Sequence, residues 1–461
     1  MRDIDALLRD LDGLDVETQP QKVKRRSRDF YWYSPVLKKR LDHVTAEAVV
    51  TPRDEAEVVR ALRAAYARGV PVTPRGGGTG NYGQAMPLRG GVVLDLSQMT
   101  AVKAVHHGRV RVEAGAKLAD VDATTTEHSR QELRIHPSTH KTGTTGGYVA
   151  GGSSGVGSIT WGLLRDRGNI LGARVVTMES EPRVLDLRGA DVQQVNHAYG
   201  TNGIITELEM PLAPAYRWAE LILAFPDLTT AARFADALSR EDAILKKLVS
   251  VVASPVAHDY LFADRGIARE ETVVLVMVAD LALDALHDLC RNWPARVAYE
   301  GFLDALEPNR RPLFEYTWNH TTLHALKHDR TITYLQTLYP PPHHLERVEA
   351  MARHFGDEVP IHLEFVRYAG QIACFGLQLV RYTSDERLAE IIDHHERNGC
   401  PIFNPHAYTL EEGGMKRVDQ VQLAFKREAD PKGLLNPGKM LGWDDPAYDG
   451  SGERSFLYEG G

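Results

Sequence analysis

Arg75-Gly76-Gly77-Gly78-Thr79-Gly80-Asn81-Tyr82-Gly83 follows the apolar run Val70-Pro71-Val72-Thr73-Pro74, and the reading of this stretch decides the fold. Its five glycines in nine residues bury nothing and cost backbone entropy on folding. What they permit is positive φ and a set of amide N–H groups turned toward one bound anion, a way to hold phosphate without a side chain. The bland alternative is a flexible turn. The spacing is not Gly-x-Gly-x-x-Gly opening a helix, and no Gly-Lys-Ser/Thr follows, so neither a Rossmann fingerprint nor a P-loop is matched.

Working outward, Thr51 reads as a helix N-cap with Pro52 in the first turn. Val58, Val59, Leu62, Ala65 and Tyr66 then recur at helical spacing until Gly69 stops the helix. Residues 70–73 read as a buried strand feeding the glycine loop, 91–96 as a second strand, and 109–114 alternate as a half-exposed strand does. A helix is expected over 117–130. This order makes an α+β domain rather than a doubly wound one. A second glycine tract, Gly143-Thr144-Thr145-Gly146-Gly147-Tyr148-Val149-Ala150-Gly151-Gly152-Ser153-Ser154-Gly155-Val156-Gly157, lies between strand signals and suggests close backbone approach to a flat or charged ligand. A third loop, 199–203, runs into the strand-like Ile204-Ile205-Thr206, and Pro211 and Pro214 mark a domain boundary.

From 215 to 400 glycine thins out and amphipathic helices alternate with strands, as in a ferredoxin-like antiparallel sheet with helices on one face. The expected domains are an N-terminal extension (1–41), a first domain (42–214), a cap (215–400) and a C-terminal segment (401–461) returning to the first domain. Within the extension, a basic run at 22–26 precedes Phe30-Tyr31-Trp32-Tyr33. It reads as a solvated charge run beside packed aromatics, with membrane contact at most peripheral.

Composition narrows the function. At 461 residues two or more domains are expected. A net charge of −8 argues against a nucleic-acid partner. Three cysteines without Cys-x-x-Cys spacing suggest a reducing compartment, and acids at the N-terminus do not read as a signal peptide. No apolar stretch approaches a membrane span, so the expected location is cytoplasmic.

The three glycine loops, in this order and with Asp430-Pro431-Lys432-Gly433-Leu434-Leu435-Asn436-Pro437-Gly438-Lys439 near the end, resemble the PCMH-type FAD-binding domain of the vanillyl-alcohol oxidase/p-cresol methylhydroxylase superfamily. The nearest branch looks like the D-lactate/glycolate dehydrogenase type. The resemblance implies FAD contacts at Arg75, Gly76, Gly77, Gly78, Thr79, Gly80, Asn81 and Tyr82 for the pyrophosphate. It further implies contacts at Pro137, Thr144, Thr145, Gly146, Gly147, Val149, Ala150, Gly151, Gly152, Ser153 and Gly157, and at Gly203, Ile204, Ile205 and Asn436. Relatives that tether the flavin to the first loop carry a histidine just after its glycines. Here Thr79-Gly80-Asn81 stands there, so non-covalent FAD is expected. The Glu-His-Gly and His-x-x-x-x-x-x-His of metal-dependent D-2-hydroxyacid dehydrogenases are absent, so no metal is expected. Tyr148 stands where the second loop usually has asparagine.

The implied activity is oxidation of a small hydroxylated substrate, a 2-hydroxy acid first, with hydride passing to the flavin while a base removes the hydroxyl proton. The electron acceptor is left open among a quinone, a cytochrome, another carrier and O2, and a homodimer is compatible with the chain. A phenolic or sugar-like alcohol, or a role as the FAD-carrying subunit of a larger complex, are the alternatives. Histidine suits the base. His406 and Tyr408, on the segment that returns to the flavin in relatives, are first choice as base and hydroxyl anchor. His320, one helical turn from His324, is second, and Arg367 is a candidate carboxylate clamp.

Overall fold

The helix that precedes the glycine loop starts later than the Thr51-Pro52 signal suggests. In the computed structural model, which describes residues 4–152, 154–307, 310–415 and 417–448, it runs Glu55–Arg68 and its N-cap is Asp54. Asp54 accepts from the Glu57 N–H at 2.9 Å, while Glu57 reaches back to the Arg53 N–H at 2.8 Å. That closed pair outcompetes Thr51, because it satisfies two orphan donors at once. Gly69 ends the helix in the left-handed region, as its position predicts.

Two sheets build the first domain. β1 (Val16–Glu17), β2 (Ala48–Val50), β3 (Val72–Arg75) and β4 (Val92–Asp95) pair in the order β1-β2-β4-β3, parallel except for β1. β5 (Val102–His106), β6 (Arg109–Glu113), β7 (Gln131–Leu133), β8 (Gly172–Val176), β9 (Val184–Arg188) and β10 (Ile204–Pro214) form an antiparallel sheet around the long β10. The N-terminal residues are integral to this domain rather than appended to it. Helix α1 (Ile4–Asp10) places Leu7 in the same core as Val50, Val58 and Leu94, with Leu11 just beyond it, and β1 extends the parallel sheet.

The cap is an antiparallel sheet of eight strands. These are β11 (Trp218–Phe225), β12 (Lys246–Val252), β13 (Thr272–Ala279), β14 (Arg296–Phe302), β15 (Gln336–Tyr339), β16 (His362–Tyr368), β17 (Gln371–Gly376) and β18 (Ile402–Phe403), in the order β14-β11-β13-β12-β16-β17-β15-β18. Its last strand lies just past residue 400. Both faces are buried, with a period of two: Leu221, Leu223 and Phe225 pack under helices on one side, Trp218, Ile222 and Ala224 on the other. The second face looks toward the first domain and carries helix α2 (Asn319–His328).

The second glycine tract, read as a loop, contains a short helix, α3 (Thr145–Gly151), capped by Thr144, which accepts from Gly147 N–H at 3.2 Å. Helix α4 (Gln420–Ala429) then leads to the C-terminal turn, which lies along β3: Val72 N–H donates to Leu434 O and Asn436 N–H to Val72 O, both at 2.8 Å.

Candidate functional site

One long cavity of about 210 Å³ runs between the glycine loops of the first domain and the cap sheet. The next cavity, about 10 Å³ and walled by Leu7, Leu11 and other apolar core residues, is too small for any ligand. The floor of the large cavity is the stretch that decides the fold. A Cβ at Gly76 would fall 2.1 Å from Thr144 Oγ1, and one at Gly77 would fall 2.2 Å from Thr142 O. Only glycine lets the first loop lie against the second. Arg75 folds beneath this loop, where its guanidinium donates to Arg28 O at 2.7 Å and its buried Nε has no protein partner. Burial pulls its pKa down, so this cation is poorly compensated inside the protein.

The second loop supplies a different surface. Gly147 and Gly151 lie one turn apart on α3, and a Cβ at Gly151 would meet nothing within 4 Å, one at Gly147 only Thr144 Oγ1 at 3.0 Å. Both residues line the cavity, so the space their missing side chains leave belongs to it. A flat face of bare helix, next to a glycine loop with a buried cation under it, fits a ligand that is planar at one end and anionic further along.

Of the residues expected at the cofactor, Arg75, Gly76, Gly77, Gly78, Thr79, Gly80, Asn81, Tyr82, Pro137, Thr144, Gly146, Gly147, Ala150, Gly151, Gly152, Gly203 and Ile205 line the cavity. Thr145, Val149, Gly157, Ile204 and Asn436 stand behind it. Val149 and Ile204 are core, Thr145 Oγ1 donates to Glu113 O at 2.8 Å, and Gly157 N–H donates to Lys247 O at 2.7 Å. Ser153 lies outside the described residues.

The expected catalytic residues separate. His320 lines the cavity, at the start of α2. Burial lowers its pKa to about 4, although the nearby Glu315 carboxylate opposes this. His324, one turn on, is turned away to donate to Glu315 O at 3.1 Å. His406 is 5% exposed and does not line the cavity. The segment around it is a turn, not the expected strand, with His406 N–H on Asn404 Oδ1 at 2.9 Å. Its Nδ1 meets Ser34 Oγ at 2.7 Å and its Nε2 meets Tyr334 O at 3.1 Å, so both ring nitrogens are engaged. Tyr408 packs among Tyr31, Leu41 and Met86. Arg367, on β16, reaches outward to Asp242 at 3.0 Å.

The structure adds wall residues that the sequence reading left out. Phe30 and Tyr33 come from the N-terminal segment, whose Phe30 N–H donates to Gly80 O. Trp318, Asn319, Gln336, Phe375 and Phe403 come from the cap. The aromatic run 30–33 was the available signal. Below the wall, Asp29 accepts from the Tyr31 and Ala85 N–H groups at 3.0 and 3.1 Å, and buried Lys439 donates to Gly83 O at 2.5 Å. Burial pushes the Asp29 carboxyl up and the Lys439 ammonium down, and their bonds to Ala85 N–H and Gly83 O hold both side chains against the end of the first loop.

Among the described residues, no group of three or more His, Cys, Asp and Glu could hold a metal ion, and no helix is long and apolar enough to cross a membrane.

Residues 46–186 match the model of a family described as FAD binding domain. The chain is 26% identical to the D-lactate dehydrogenase of Archaeoglobus fulgidus over 417 residues, covering 85% of this chain and 91% of that one. It is 23% identical to the glycolate oxidase subunit GlcD of Bacillus subtilis over 441 residues, 86% of this chain and 89% of that one. In three dimensions it matches an alkyldihydroxyacetonephosphate synthase with a TM-score of 0.71 at 16% identity, covering 94% of this chain and 84% of that one. The expected α+β, PCMH-type fold is the one found.

Proposed function

We propose that this chain is a FAD-linked oxidoreductase that oxidises the CH–OH group of a small alcohol in the cavity between loops and cap, a reading supported by its match to a FAD binding domain and by the names of its relatives. Bound FAD supplies the two-electron acceptor. The loop 76–81, with Arg75 beneath it, would hold the diphosphate, and the bare face of α3 would lie beside the flat ring.

The observation that carries the reading is His320, an imidazole on the cap wall of that same cavity, kept neutral by burial. A neutral imidazole carries one unprotonated ring nitrogen, an acceptor able to take the hydroxyl proton at neutral pH. Phe30, Tyr33, Phe375 and Phe403 line the same cavity and make part of its wall apolar. The flavin is held non-covalently in this reading, with Thr79 where a tethering histidine would stand. Acid precipitation then leaves a colourless pellet and a yellow supernatant.

For the substrate, the names of the relatives put a 2-hydroxy acid first. One feature of the wall favours the alternative, a phenolic or sugar-like alcohol. Among the described residues lining the cavity, Arg75 is the one arginine or lysine, and it sits under the loop. Nearby cations are neutralised: Lys141 and Arg311 both pair with Glu315, at 2.8 and 3.1 Å. The test is anaerobic bleaching of the FAD-loaded protein by D-lactate, glycolate and 4-hydroxybenzyl alcohol. Bleaching by the acids supports the first class and by the aryl alcohol the second. A flavin that no member of a broad alcohol panel bleaches, in the purified chain alone, sinks the reading.

A further inference from the structure

The turn that delivers His320 to the cavity is strained. Trp318 has φ 52° and ψ −141°, a combination that steric contact all but reserves for glycine. Trp318, Asn319 and His320 line the cavity in succession, so the strain sits where the site needs the chain to turn. A backbone held in such a conformation requires something around it to over-determine it.

Glu364 on β16 is that support. The Trp318 N–H donates to Glu364 Oε1 at 2.6 Å, and the carboxylate is 1% exposed. The same oxygen accepts from Ser250 Oγ at 3.0 Å and lies 2.8 Å from His362 Nε2. The protonation follows from the partners. His362 Nδ1 is 3.2 Å from Leu377 O, and a carbonyl oxygen only accepts, so Nδ1 carries a proton. Nε2 faces a carboxylate oxygen, so a second proton lies between His362 and Glu364. The two form a buried hydrogen-bonded pair, with the Ser250 and Thr321 hydroxyls 3.2 and 3.4 Å from the same Nε2, and the Trp318 N–H donates into this network. Neither residue lines the cavity.

We propose that the His362–Glu364 pair is a positioning device, which holds Trp318 in its left-handed conformation and thereby aims His320 into the cavity. The catalytic half of this inference rests on the reading of His320 as base; the clamp can be tested without it. Glu364→Ala removes the acceptor, and Glu364→Gln keeps an oxygen in its place. Hydrogen exchange of the segment 314–328, FAD content, kcat and KM are measured on the FAD-loaded full chain.

In Glu364→Ala, exchange in that segment is expected to speed up about tenfold or more, with FAD content retained. With an alcohol that bleaches the wild type, kcat falls by about the same factor while KM stays within about threefold. Glu364→Gln restores most of both. Where the alanine variant does not fold, Glu364→Asp keeps the carboxyl group but withdraws the oxygen from Trp318, and the same directions are expected. Unchanged exchange overturns the clamp. Faster exchange with unchanged kcat overturns its role in positioning His320. A wild type that oxidises no alcohol overturns the functional reading instead, and the exchange arms still decide the clamp.

Discussion

Asn436 and Tyr199 both hold left-handed backbone, with φ 39° and 52°, and Asn436 Nδ2 donates to Tyr199 O at 2.7 Å. The same amide donates to Gln84 O at 2.8 Å. One fully buried side chain near the C-terminus thus joins the first glycine loop to the third. The resemblance assigns Asn436 to the cofactor; its observed bonds make it the brace between the loops.

Replacing Asn436 by alanine leaves two buried carbonyls without their donor. A stability loss of about 2–6 kcal/mol follows, at about 1–3 kcal/mol for each unsatisfied group. Urea unfolding of the FAD-free chain measures this. Because the brace sets the spacing of the loops, FAD affinity is expected to fall as well. An unchanged unfolding midpoint would show that the two loops hold their places without it.

The bare face of α3 yields a prediction with opposite signs for stability and binding. Gly151→Leu puts a side chain into open space, and leucine is the better helix former by about 0.5–1 kcal/mol. The FAD-free protein should therefore melt no lower than wild type. The same side chain enters the cavity, so the ratio of flavin to protein absorbance in the purified variant should collapse. Normal flavin content would remove α3 from the ring site.

Glycine loops were legible in the sequence because glycine at such density has few structural uses, and the helix before them because its period and its Gly69 stop are local signals. The chemistry was harder to read. His406 is adjacent in sequence to a segment that returns to the site, yet proximity along the chain does not say where a ring points. Ser34, 372 positions away, takes its Nδ1. The left-handed Trp318 has no sequence signature, because a pattern that favours glycine there is overridden by the buried pair at His362 and Glu364. Phe30 and Tyr33 announce only burial; that they close the cavity depends on how the N-terminal segment lies across the Gly80 carbonyl.

Burial of histidines makes the fold sensitive to acid. His320, His324, His395 and His406 are pulled to about 4 and His197 to about 3, each chiefly by burial, against 6.5 for the free side chain. With folded values below unfolded ones, the unfolded chain binds protons first, so stability is present above pH 6.5 and is lost as pH falls toward 4. Glu220, pushed up to about 7, and Asp29, also raised, act in the opposite direction. A net difference of about three protons near pH 5 corresponds to ~4 kcal/mol per pH unit. Denaturant midpoints measured from pH 7.5 to 4.5 should fall steeply below 6.5, and a flat profile would contradict the buried, neutral imidazoles.

The two candidate bases are separated by a pair of substitutions. His320→Asn keeps a polar side chain of similar reach but cannot take a proton, so kcat should drop about 10²–10⁴-fold with FAD content and melting temperature close to wild type. A neutral base with its pKa near 4 also means that the wild-type kcat/KM holds flat from neutral pH down to about 5 and declines only below, as far as the fold survives. His406→Ala should do the reverse. It strips a partner from Ser34 Oγ and leaves the Tyr334 carbonyl unpaired in the interior, a loss of about 1–3 kcal/mol. The folded fraction should turn over at close to the wild-type rate. If instead His406→Ala abolishes turnover in protein that is folded and yellow, while His320→Asn does not, then the imidazole behind the wall is the one the chemistry needs. The Ser34 and Tyr334 contacts would then have to open during the reaction.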